Sequence, residues 1–89
     1  MSRLRRAEEE KAEEVCSLAS AADRGGERRN ALVLYSRGIA MHLELLKSLP
    51  RTDARAPALK ILLRDLLARA FVLKAELAQE LQDMPPMAR

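Results

Sequence analysis

The sequence predicts an all-α protein, an antiparallel three-helix bundle running up, down and up. Three observations predict it. Leu, Ala, Glu, Arg and Lys, the strong helix formers, dominate the 89 residues. Aromatic content is 2%, only Tyr35 and Phe71, too little for a core of strands. Two breaks, Gly25-Gly26 and Pro50 to Pro57, cut the chain into three long segments.

The first segment spans about Leu4 to Arg24. Its stripe is Leu4, Ala7, the stem of Lys11, Val15, Leu18 and Ala22, recurring every three or four residues. Gly25 and Gly26 close it, because glycine reaches the left-handed conformation without a Cβ clash. The second segment spans about Glu27 to Leu49. Ala31, Leu32, Tyr35, Gly38, Ile39, His42, Leu43 and Leu46 make its apolar face, and Pro50 stops it. The third begins between Thr52 and Pro57, with Thr52 or Asp53 as cap, and runs to about Asp83. Leu59, Leu62, Leu63, Leu66, Ala70, Leu73, Leu77 and Leu81 form its core stripe. Pro85 and Pro86 end it, giving one domain over 1–83 and a flexible tail over 84–89. Short connections place consecutive helices antiparallel.

The third helix carries more apolar residues than one stripe needs. Leu67 and Phe71 stand one turn apart on one flank, and Ile61, Ala68 and Val72 lie beyond. Such a surplus is either a wide core stripe with scattered surface apolar residues, which are common, or, the favoured reading, grooves that receive a partner helix or strand. Leu67, Phe71 and Arg64, with Leu43 and Leu46 of helix two, would line one groove. Ile61, Ala68 and Val72 with helix one would line the other.

Composition excludes several function classes. Net charge is +3, and cations alternate with carboxylates, as in Glu8 to Glu14, so the charge reads as solvated helix faces and not as a nucleic-acid surface. The longest apolar runs fall far short of the ~20 residues that cross a bilayer. Cys16 is the single cysteine, which rules out an internal disulfide and suits the cytoplasm. The N-terminus turns acidic after Arg6 and reads neither as a signal nor as a transit peptide. Cys16 has no base near it in sequence and reads as a small packed thiol. His42 reads as a partly buried, hydrogen-bonded structural histidine, with no second histidine or paired acids to complete a metal site. Gly25-Gly26 follows a helix and lacks the lysine and hydroxyl of a phosphate loop. These residues suggest no enzyme, no cofactor and no metal.

The run Asp23-Arg-Gly-Gly-Glu-Arg-Arg-Asn-Ala-Leu-Val-Leu-Tyr35, followed by Gly38-Ile39, resembles the helix one to helix two signature of MIT (microtubule-interacting and trafficking) domains. Leu66-Leu67-Ala68-Arg69-Ala70-Phe71-Val72-Leu73-Lys74 is similar to that family's helix-three block. Asp53 falls where the family often has an aspartate before helix three. The likeness covers about Ala12 to Leu77. Tetratricopeptide units share some of this pattern but need a repeat, which this chain lacks.

The resemblance implies a non-catalytic adaptor, monomeric, that binds C-terminal tails of ESCRT-III subunits. Such a module brings its parent protein to endosomal or midbody membranes in endosomal sorting, vesicle trafficking or cytokinesis, without entering the bilayer itself. Leu67 matches the family leucine that contacts a helical tail between helices two and three. Ala68 and Phe71 stand where many members carry Asp and Glu, and Arg28 replaces a usual Tyr. The apolar half of that groove is kept and its acidic half is lost. A more apolar tail, or the extended motif that packs between helices one and three, therefore gains ground, and Arg64 favours an acidic residue on the ligand. The alternative reading is a helical self-association domain that dimerises through the same surplus.

Overall fold

A computed structural model describes residues 2–83, with side chains from residue 6 onward. It is an all-α three-helix bundle: α1 spans Ser2–Arg24, α2 Arg28–Ser48 and α3 Arg55–Asp83. The flexible tail expected over 84–89 lies outside the described residues.

Each break has a visible cause. At the end of α1 the Gly26 amide donates to the Asp23 carbonyl (3.1 Å) and the Glu27 amide to the Ala22 carbonyl (2.9 Å). That nested pair needs a left-handed residue between them, and Gly26 supplies it with φ +80°. At the end of α2, Leu49 turns to extended backbone (ψ 140°) ahead of Pro50. Asp53, not Thr52, caps α3: its Oδ1 accepts the Arg55 amide at 2.9 Å. Pro57 is the third residue of α3, where its missing amide hydrogen would have had no partner anyway.

The directions follow from the ties between helices. Arg55 Nη1 donates to Glu9 Oε1 (2.7 Å) and Arg69 Nη2 to Asp23 Oδ1 (2.6 Å), so α1 and α3 run parallel in a constant register. Tyr35 meets Asp23, Gly38 meets Cys16, and Arg28 pairs with Glu76 and Glu80, so α2 runs antiparallel to both. The core comprises Ala19, Ala22, Ala31, Tyr35, Ile39, Leu63, Leu66 and Leu73. Among the described residues α2 packs on both other helices, while no Cα of α1 comes within 8 Å of one in α3. The molecule is elongated, 57 × 23 × 20 Å.

The stripe of α1 differs from the expected one. Ala12, Ala19 and Ala22 are buried, with Cys16 packed against the core. Leu18 is 52% exposed, and Ala7 and Lys11 also face outward. The cause is a close approach of α1 to α2. A Cβ on Gly38 would sit 2.6 Å from Cys16 Sγ, so the contact face of α1 is built from small residues and its leucine is left outside. On α2 the buried set gains Leu45, and on α3 Leu62 and Leu81 are exposed, Leu81 because α3 outruns its neighbours.

Gly38→Ala therefore tests the close approach. Alanine favours helix over glycine by about 1 kcal/mol. Overpacking against Cys16 outweighs this, and chemical denaturation shows a net loss of about 1 to 2 kcal/mol. Removing the sulfur in Cys16→Ala/Gly38→Ala recovers most of the loss.

Candidate functional site

Three polar residues clasp the bundle at one end. Asp23, from the last turn of α1, accepts the Tyr35 hydroxyl at 3.1 Å and the Arg69 guanidinium at 2.7 Å (Nε) and 2.6 Å (Nη2). This two-pronged bond to Arg69, helped by Tyr35, holds the Asp23 carboxyl below the usual range. Burial, then the nearby carboxylate, pushes the Tyr35 hydroxyl up. One aspartate thus joins all three helices. The other end is held by Arg55, which bonds Glu9 and both carboxylate oxygens of Asp53.

Between these two ties α1 and α3 stand apart, and a cavity of about 210 Å³ opens with α2 as its floor. Glu9 and Glu13 form its α1 wall, Leu59 and Leu62 its α3 wall, and His42 and Leu45 its base. His42 is 4% exposed, and among the described residues neither ring nitrogen has a hydrogen-bond partner. The expected hydrogen-bonded histidine is thus buried but unpaired. No donor or acceptor on α1 or α3 reaches it, because those helices stay apart at this level.

Burial holds the imidazole below its ordinary value of 6.5, while Glu13 pulls the other way. The sign for stability follows. Above the unfolded value both states are neutral and nothing is lost. As pH falls through 6.5 the unfolded chain takes up a proton that the folded chain resists, so stability drops. Glu9, Glu13 and Arg55 are the charged groups facing this cavity, and Asp23 loses its contribution only at lower pH, since its own ordinary value is 3.8. The urea midpoint is expected to fall between about pH 7.5 and 5.5, and His42→Leu to remove that fall.

The second surface is the flank of α3 turned away from α1. Leu67 is 51% exposed and Phe71 74%. Leu43 on α2 is 40% exposed, Leu46 is half-buried against the core, and Arg64 is exposed. At about 100° per residue, Leu67, Phe71 and Arg64 follow the buried stripe on the side opposite Arg69 and Leu62, so they share the α2 side of α3 with Leu43 and Leu46.

Ile61 (53% exposed), Ala68 and Val72 (42%) are also on the surface, yet they are not brought to α1. The α3 residues that meet or face α1 are Arg55, Ala58, Leu62 and Arg69. By the same helical count, positions 61, 68 and 72 point about 180° from the core, into open solvent. The α1–α3 cleft is instead walled by Leu62 and floored by His42 and Leu45. Leu62 had the period of a core residue and His42 that of a packed one, so only the ion-pair register, Glu9 with Arg55 and Asp23 with Arg69, could have shown which flank of α3 faces α1.

Among the described residues no group of three or more His, Cys, Asp or Glu could hold a metal ion, and no helix is long and apolar enough to cross a membrane. Cys16 is half-buried, and burial with nearby Glu13 pushes its thiol up, away from the reactive thiolate. No family model matches the chain, and neither a curated protein nor a solved structure does.

Proposed function

We propose that this chain is a non-catalytic protein-interaction module that binds C-terminal tail segments of ESCRT-III subunits beside α3 and so targets its parent protein to endosomal or midbody membranes. The observation that carries the reading is the uncovered apolar surface of α3. Leu67 and Phe71 are held out to solvent on a helix whose backbone, among the described residues, packs closely on α2 and not on α1. A short amphipathic ligand seats leucines in such a furrow, with flanking charges setting its register.

The meeting of Asp23, Tyr35 and Arg69 supports the same reading, because these residues belong to the two blocks that resemble MIT domains. The α1–α3 cleft offers room for an extended segment, with Leu62 and Leu59 as apolar wall. A short tail segment buries an area at the small end of protein interfaces and binds at about micromolar affinity, which suits a partner that presents many tails on one polymer.

An amide-shift titration of the isotope-labelled domain with ESCRT-III C-terminal tail peptides tests the proposal. Shifts clustered on Leu67, Phe71 and Leu43, or on His42 and Leu62, support it. Peptides that move no signal at several hundred micromolar overturn it. Light scattering across a dilution series separates the self-association reading, which requires a mass that rises with concentration.

A further inference from the structure

The charges of α3 are sorted by side. Its carboxylates Asp65, Glu76, Glu80 and Asp83 all fall, at about 100° per residue, on the half of the helix that leads toward α1. Arg55 and Arg69 lie on that half too, and both are neutralised by α1, through Glu9 and Asp23. The remaining cations, Lys60, Arg64 and Lys74, fall on the opposite half, interleaved with Leu67 and Phe71. All three are exposed, and among the described residues none makes an ion pair. On α2 the exposed Glu44 lies against Lys47 at 3.5 Å, one helical turn along the same helix.

The exposed apolar strip of α3 is therefore edged by unpaired positive charge and by no carboxylate of its own helix. We infer that the furrow beside Leu67 and Phe71 receives an acidic amphipathic helix, one whose leucines recur every three or four residues and whose flanking positions are Asp or Glu. This rests on the peptide-binding reading above and specifies the ligand's chemistry. The apolar stripe of the ligand covers Leu67, Phe71 and Leu43, and its carboxylates meet Lys60, Arg64 and Lys74. A ligand with Lys or Arg at those positions meets like charge at three points along the furrow, which opposes docking more than it alters the apolar contact.

Two synthetic peptides decide the matter. They share the same leucine positions and helical length and differ only in Glu against Lys at the flanking positions. Each is titrated into the labelled 89-residue chain at low and at moderate salt. The acidic peptide is expected to bind about tenfold or more tightly, to shift the amides of Lys60, Arg64, Leu67, Phe71 and Lys74, and to lose part of its advantage as salt rises. Lys60→Glu/Arg64→Glu/Lys74→Glu alters only exposed side chains and is expected to reverse the order of the two peptides. Equal binding, or tighter binding of the basic peptide, at this flank overturns the charge inference and leaves the peptide-binding reading intact. Shifts confined to the α1–α3 cleft do the same. If neither peptide moves a signal at millimolar concentration, the flank is no docking surface, and the inference falls together with its premise for this site.

Discussion

Leucine 73 replaced by alanine removes about 3 kcal/mol of stability. Leu73 is fully buried, at 0% exposure, and is the largest side chain in that state. Truncation forfeits its transfer free energy and leaves a cavity that a small bundle closes only in part, a cost of about 2 to 5 kcal/mol. A chain of this size has about 5 kcal/mol or a little more in total, so the variant keeps less than half. A thermal melt should fall by roughly 15 °C, at about 4 to 8 °C per kcal/mol for so small a domain. The control is Leu67→Ala, which alters a residue 51% exposed and should melt close to the parent. A Leu73→Ala melt within a few degrees of the parent would contradict the packing described here.

Binding, in contrast, should be lost by Leu67→Asp with folding retained. The leucine is half exposed in the free protein, so a carboxylate there stays hydrated and costs the fold little. In the proposed complex the same position lies beneath the ligand's leucines. The variant forfeits about 1.5 to 3 kcal/mol of apolar burial and must also desolvate a charge. Together these weaken a micromolar complex by about a hundredfold or more, to about 100 μM or weaker. Far-UV circular dichroism should be unchanged. Loss of helix instead would make Leu67 a core residue and remove the furrow from consideration. Unchanged affinity would move the ligand to the α1–α3 cleft.

The helices and their ends were legible because the punctuation is local. Gly26, Pro50, Asp53 and Pro57 act within a turn of themselves, and each sits where its backbone chemistry requires. The face of α1 was not legible by the same logic. A search for periodic apolar residues weights large side chains, and here Ala12, Ala19 and Ala22 make the contact because Gly38 lets the helices close up. The clue was the glycine itself, midway along a helix where it costs stability without a packing reason.

The exposed residues Leu67 and Phe71 were also readable, since they exceed what one stripe can bury. The side on which Ile61, Ala68 and Val72 stand is not legible in the sequence, because apolar content around a helix does not reveal the hand of the bundle. That hand decides which flank meets α1, and it is fixed by long-range pairs such as Arg55 with Glu9. The unpaired state of His42 depends on how far apart α1 and α3 stand, a distance that no local pattern encodes.

The packing of α2 against both neighbours, with α1 and α3 out of backbone contact, also has a kinetic meaning. Among the described residues, helices adjacent in sequence make all of the close backbone packing, and α1 meets α3 through the side chains of ion pairs. Loop closure is short at every step, which is the topology of a fast folder, with times of microseconds to milliseconds typical of local helical architectures. A nascent α1–α2 hairpin can form as soon as both helices leave the ribosome, with α3 added last. The final event of assembly is then the docking of α3, the helix with the exposed Leu67 and Phe71.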